Sequence, residues 1–150
     1  MNSITKLTSR ENPKALLSSL WIWITANYIY CDALTNMESV VLKDLLTGSL
    51  AGMAITESFL LMAGLLMEIP FVMIVLSRIL PFRANRWANI IAGTIMIMVQ
   101  AGTIGIGSPP TLHYIFFSII EITGNALIVL CAVKWRDAEK AITETKGEKK

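Results

Sequence analysis

Four apolar runs, each close to the length of a membrane span, constrain this chain more than any other feature. They cover about residues 15–33, 50–80, 87–106 and 112–133. A helix of ~20 residues crosses the ~30 Å hydrocarbon layer of a bilayer. Lipid offers the backbone no hydrogen bonds, so only helices and closed barrels span it. The runs are too long to be the ~10-residue strands of a barrel. The expected fold is therefore all-α, an integral membrane four-helix bundle, with residues 1–150 forming one four-span domain. Pro70 is expected to break the second run. Charged residues make up 16% of the chain, against about a quarter in a soluble domain.

The placement of those charges gives an orientation. Lys6, Arg10 and Lys14 precede the first run, and Arg78, Arg83 and Arg86 separate the second from the third. Lys134, Arg136, Lys140, Lys146, Lys149 and Lys150 follow the fourth. The first connection, 32–49, has Lys43 alone against Asp32, Glu38 and Asp44, and the third, 107–111, is uncharged. Twelve of the 13 basic residues thus fall on one side. By the positive-inside rule both termini are cytoplasmic, in the cell membrane. The first run ends Tyr28-Ile29-Tyr30-Cys31-Asp32 without a small-x-small cleavage pattern, so it is expected to be a retained span. Trp87 and Trp135 are expected at the inner interface, and Tyr28, Tyr30 and Tyr114 at the outer one.

The first connection carries a pattern of its own. Val40, Val41, Leu45 and Leu46 surround Lys43 and Asp44, as in a short amphipathic helix on the outer surface that caps the bundle mouth. Gly48 and Gly52 form a GxxxG pair at the start of the second run, suited to close helix approach. The charged cytoplasmic tail, 137–150, reads as a helical extension rather than a binding module.

Function is sought in the polar residues inside the apolar runs. Asn27, Glu57, Gln100, Glu121 and Asn125 are expected in one central-to-outer layer, with Glu68 on the inner side of the middle. Glu57 and Glu68 are eleven residues apart and share a helix face. Ser118, Glu121 and Asn125 form a stripe, as do Asn89, Gly93 and Gln100, and Leu20, Trp23, Asn27 and Tyr30. The expected bundle turns these stripes inward as a polar lining. Asn and Gln often serve only to hold helices together. A carboxylate in hydrocarbon is costlier, about 3 kcal/mol on insertion scales. No lysine or arginine lies in the middle of the runs to pair with one. Glu121 and Glu57 are therefore expected as neutral, hydrogen-bonded acids.

Several chemistries find no support. Cys31 and Cys131 lie near opposite faces on this topology, too far apart for a disulfide. His113 is the only histidine and lacks HxxxH or HxxE company, so it is read as a surface residue at a helix start, and no metal is expected. Gly102, Gly105 and Gly107 end a span and do not form a nucleotide loop. There is no nucleophile–histidine constellation and no basic groove for nucleic acid. No catalytic residue or cofactor can be named.

Tyr30-Cys31-Asp32 at the end of the first run, Glu68-Ile69-Pro70 in the second and Glu121 in the fourth resemble the uncharacterised small DoxX-like membrane proteins of bacteria and archaea. The resemblance covers roughly 16–136 and implies a compact four-helix bundle without an assigned activity. A more distant architectural likeness is to four-span sterol isomerases and sterol-binding proteins, from which no site residue carries over.

The expected function is binding or passing a lipid-like or small amphipathic molecule in a polar intramembrane cavity. Glu57, Glu121, Asn125, Gln100, Asn27 and Glu68 would line it. The alternatives are a structural or accessory membrane subunit, and an isomerase-type enzyme that uses paired carboxylates. Expected partners are the bilayer, such a ligand and, as the assembly that would permit alternating access, a homodimer.

Overall fold

The computed structural model describes residues 12–104 and 109–147, with side-chain surroundings as far as residue 135. The N-terminal basic residues Lys6 and Arg10, residues 105–108 and residues 148–150 lie outside the described residues. The chain is mostly helical. Helix α1 spans Pro13–Thr35, α2 Ser39–Leu46, α3 Glu57–Ile79, α4 Phe82–Thr103 and α5 Leu112–Gly147. A two-stranded hairpin, β1 (Ser49–Leu50) and β2 (Met53–Ala54), separates α2 from α3.

Local sequence sets most of these boundaries. Asn12 caps α1, its side chain accepting the Lys14 N–H at 3.1 Å, with Pro13 preorganised at the first helical position. Thr56 caps α3 by accepting the Phe59 N–H at 3.1 Å. Leu80 and Pro81 are extended and turn α3 into α4. The tail of the chain continues α5 as a helix to Gly147.

Two expectations change. The second apolar run becomes helical only at Glu57, because residues 48–56 form the hairpin instead. Leu50 pairs with Met53 across a loop whose two residues, Ala51 and Gly52, have φ of 50° and 79°. Positive φ at both loop positions is the primed turn that matches strand twist. Gly52 therefore serves the turn, and the GxxxG pair never lies on a helix. In addition, Pro70 does not end α3. The helix runs through it, with the ring buried, and forgoes the hydrogen bond that the Leu66 carbonyl would accept.

Helix α1 packs along α3 on one side and α5 on the other, α5 packs along α4, and α3 meets α4 over a shorter contact. The core joins Leu17, Trp21, Ile24 and Tyr28 of α1 to Met73 of α3, Ala92 and Met96 of α4, and Ile128 and Cys131 of α5. Helix α2 buries none of its residues. It is tied down from its N-cap instead. The Glu38 carboxylate accepts from Thr111 Oγ1 at 3.0 Å and lies 3.3 Å from His113 Nε2 at the start of α5. Two helices, Glu57–Ile79 and the Leu112–Trp135 part of α5, are long and apolar enough to cross a membrane.

The α1–α5 contact depends on Gly124. A Cβ there would clash with Ile24 and would meet Trp23 Cζ3 at 2.8 Å, whereas nothing lies within 4 Å of one added at Gly102. Gly124→Val is expected to cost about 1–3 kcal/mol through overpacking. Thermal unfolding in detergent should show a clear loss for Gly124→Val and a much smaller one for Gly102→Val.

Candidate functional site

The bundle contains two polar groups of opposite character. The first lies toward the α3–α4 turn and links three helices. Ser18 Oγ donates to the Ile74 carbonyl at 2.8 Å and accepts from Arg78 Nε at 2.9 Å. Asn89 Oδ1 accepts from Trp21 Nε1 at 2.7 Å and from Ser77 Oγ at 3.2 Å. Asn89 Nδ2 donates to both oxygens of Asn85, at 2.8 Å to the carbonyl and 2.7 Å to Oδ1. Asn85 Nδ2 donates to the Ser77 carbonyl at 2.6 Å. Every polar atom of the Asn85 and Asn89 side chains is thus bonded, and both residues are fully buried. This network is a staple across α1, α3 and α4.

The second group joins α1, α4 and α5, nearer the other end. Gln100 Nε2 donates to Ser118 Oγ at 2.8 Å, and Ser118 Oγ donates to the Tyr114 carbonyl at 2.7 Å. Two turns further along α5, Asn125 Nδ2 donates to Tyr28 Oη at 2.6 Å and to the Glu121 carbonyl at 2.8 Å. Here the bonding is incomplete. Glu121 Oε1 and Asn125 Oδ1 are buried acceptors without a hydrogen-bond partner among the described residues. Glu121 is 1% exposed and Asn125 0%. A buried polar atom left unpaired costs about 1–3 kcal/mol. The pair is therefore a place where a donor group, from a ligand or from the carboxyl itself, is missing.

Of the residues expected to line a site, Glu121, Asn125 and Gln100 are brought into this group and the other three are not. Asn27 turns back on its own helix, donating to the Trp23 carbonyl at 2.8 Å. The stripe Leu20, Trp23, Asn27, Tyr30 is not the inward face of α1, since Trp23 and Tyr30 are both exposed. The inward face is Leu17, Trp21, Ile24, Tyr28 and Cys31, spaced 4-3-4-3. Burying this larger apolar stripe outweighs burying one amide, and the polar tips of Trp21 and Tyr28 supply the partners that Asn27 was expected to supply. Glu57 opens α3 as an exposed first-turn residue, where a carboxylate suits the helix dipole. Glu68 is exposed on the side of α3 away from its buried residues.

Three contributors were not legible as site residues. Tyr28, expected in the outer belt, is buried against Asn125. Asp32 follows Tyr28 by one turn on α1, the helix that packs along α5. His113, expected as a plain surface residue, is half-buried in a knot with Glu38, Thr35 and Thr111. The 4-3 spacing of Trp21 and Tyr28 within an apolar stripe is the signal that would have found the first. The other two depend on how the helices pack.

The contrast between the two groups is measurable. Asn89→Leu strands the Trp21 N–H, the Ser77 hydroxyl and Asn85 Oδ1, and should cost several times the ~1 kcal/mol of one hydrogen bond. Asn125→Leu frees Tyr28 Oη of its donor but also removes an unpaired oxygen, so its cost should be smaller. Unfolding midpoints of the two variants in the same detergent should separate in that order.

Comparison with curated proteins finds no match, and comparison with solved structures finds none either. Comparison with protein families finds one described as a family of unknown function (DUF6326), rather than the DoxX-like proteins, and the match runs over residues 5–142. The chain belongs to that family of unknown function.

Proposed function

We propose that this chain is a four-span membrane protein with both termini in the cytoplasm. In this reading it binds or passes a lipid-like or small amphipathic molecule beside Glu121 and Asn125. The observation that carries the reading is the pair of unpaired acceptors, Glu121 Oε1 and Asn125 Oδ1, one helical turn apart and walled off from solvent. A ligand hydroxyl or N–H placed between them restores the missing hydrogen bonds, while its apolar body is at home among the surrounding Leu, Ile and Met side chains. Gln100 and Ser118 already satisfy each other and set one boundary of the polar patch. Tyr28 sets the other.

Four spans are supported by α1 and α4, which match α3 and the apolar Leu112–Trp135 part of α5 in length and pack beside them. The orientation rests on the one-sided distribution of lysine and arginine. The sequence resemblance to small four-span DoxX-like proteins agrees with that architecture. A purely structural role is favoured for the Asn85 and Asn89 side chains, whose polar atoms are all bonded within the network.

Native mass spectrometry of the protein released from gentle detergent, beside Glu121→Gln and Asn89→Leu, tests the reading. A discrete bound mass is expected on the wild type, greatly reduced in Glu121→Gln and retained in whatever Asn89→Leu protein remains folded. Bulk lipid alone on all three proteins would defeat the proposal and make the whole bundle a scaffold.

A further inference from the structure

The hydrogen atoms available beside Glu121 and Asn125 narrow what can bind there. Both N–H groups of Asn125 are spent, one on Tyr28 Oη and one on the Glu121 carbonyl. Two buried acceptors, Glu121 Oε1 and Asn125 Oδ1, have no hydrogen-bond partner among the described residues. Against those two acceptors, this group of bonds leaves a single hydrogen, that of the Tyr28 hydroxyl. A group that answers both acceptors must therefore bring donors and few acceptors of its own.

Polar heads differ on that count. A hydroxyl has one hydrogen and two lone pairs. It bonds one acceptor, takes the Tyr28 hydrogen on its own oxygen, and leaves the other acceptor bare. An ionised carboxylate or phosphate has only acceptors and would set a negative charge beside Glu121. A protonated amine has several N–H donors and no acceptor. Its charge fits as well. Glu121 is 1% exposed, and no lysine or arginine lies in the middle of the apolar runs to face it. A carboxylate buried without a cation is costly, whereas charge-assisted N–H···O bonds are about twice as strong as neutral ones. A glutamine at this position would have the same shape and bring its own donor for Asn125 Oδ1. The chain has the carboxyl instead, which lacks that donor and can meet a cation with a full charge.

The cation suited to this place is organic. On α5 the pair lies between two buried apolar residues, Phe117 one turn before Glu121 and Ile128 just beyond Asn125. Hard metal ions take six or more oxygen ligands, and the described residues hold no group of three or more His, Cys, Asp or Glu side chains that could bind a metal.

We propose that the Glu121–Asn125 pair receives a lipophilic amine in its protonated form, the ammonium donating to Glu121 Oε1 and to Asn125 Oδ1. The hydrocarbon part lies among apolar side chains. If Glu121 is a neutral acid in the empty protein, its proton leaves to water as the ammonium enters, and the net charge inside the bundle is unchanged. This rests on the reading that an amphipathic molecule binds beside Glu121, and it names the class of that molecule.

Isothermal titration calorimetry of the full chain in gentle detergent at neutral pH tests the proposal. Octylammonium, octanol and octyltrimethylammonium share one tail and differ in the head: charge with N–H donors, a hydroxyl without charge, and charge without a donor. Each is titrated into wild type, into Glu121→Gln and into empty micelles. Octylammonium should bind the wild type at one molecule per chain. The other two should bind tenfold or more weakly, the order expected when a hydrogen bond to a charged group is lost. Glu121→Gln, which keeps the shape, should show no preference among the three. Octanol binding the wild type as tightly as octylammonium would overturn the amine and leave the amphipathic ligand standing. Equal binding of octyltrimethylammonium would overturn the N–H donation. Octylammonium binding unchanged in Glu121→Gln would overturn its place at this pair. Binding of none of the three beyond the micelle heat would also overturn the amine. The bound mass sought by native mass spectrometry then decides separately whether a ligand of another class occupies the site.

Discussion

A polar atom removed from water must find a partner, and that constraint organises this bundle more than any apolar contact does. Apolar side chains fill the helix interfaces generally, but they do not choose one rotation of each helix over its neighbours. The hydrogen bonds do. Trp21 Nε1 on Asn89 Oδ1 and Asn125 Nδ2 on Tyr28 Oη fix α1 against α4 and α5 at two heights. Ser18 on the Ile74 carbonyl fixes it against α3. Helix α1 is thus the element the others are set against, and each of its bonds is made by a residue within or beside one 4-3-4-3 stripe.

The same constraint separates scaffold from site. Where Asn85, Asn89 and Ser77 meet, donors and acceptors balance, and the structure has no further demand. Beside Glu121 and Asn125 two buried acceptor atoms are left without a hydrogen-bond partner among the described residues. Asn125 spends both its N–H groups, on Tyr28 and on the Glu121 carbonyl, and its oxygen is left over. Glu121 contributes a second leftover oxygen. Two adjacent deficits on one helix face are more specific than one, because a single donor-rich group can answer both.

Much of the fold was legible in the sequence, because it depends on local and periodic signals. The four long helices follow from run length, α2 from the valine–leucine pattern around Lys43, and the inward stripes of α4 and α5 from the spacing of Asn89, Gly93 and Gln100 and of Ser118, Glu121 and Asn125. What failed was the inward face of α1 and the beginning of α3. Polarity alone ranked Asn27 above Trp21 and Tyr28, although an asparagine can satisfy itself on its own helix backbone and an amphipathic aromatic cannot. Hydropathy alone carried the second run back to Leu50, although two residues with positive φ make residues 48–56 a hairpin. Within the site, Glu121, Asn125 and Gln100 were found from phase. Tyr28 was not, because it was read as an interfacial anchor although its 4-3 spacing with Trp21 places it on the inward stripe of α1.

The three glutamates of the apolar runs show why a carboxyl in such a chain cannot be read from depth alone. Glu57 begins a helix, where exposed N–H groups and the helix dipole compensate it. Glu121 is enclosed by α1 and α5 with an unpaired oxygen of its own and one from Asn125. Glu68 lies on a helix face that the molecule leaves bare. Backbone dipoles answer the cost of the charge at Glu57, whereas at Glu121 a donor is missing within the bundle. Only the second creates a demand that a small molecule can meet. That is why the candidate site centres on Glu121, although the sequence alone set Glu57 on an equal footing with it.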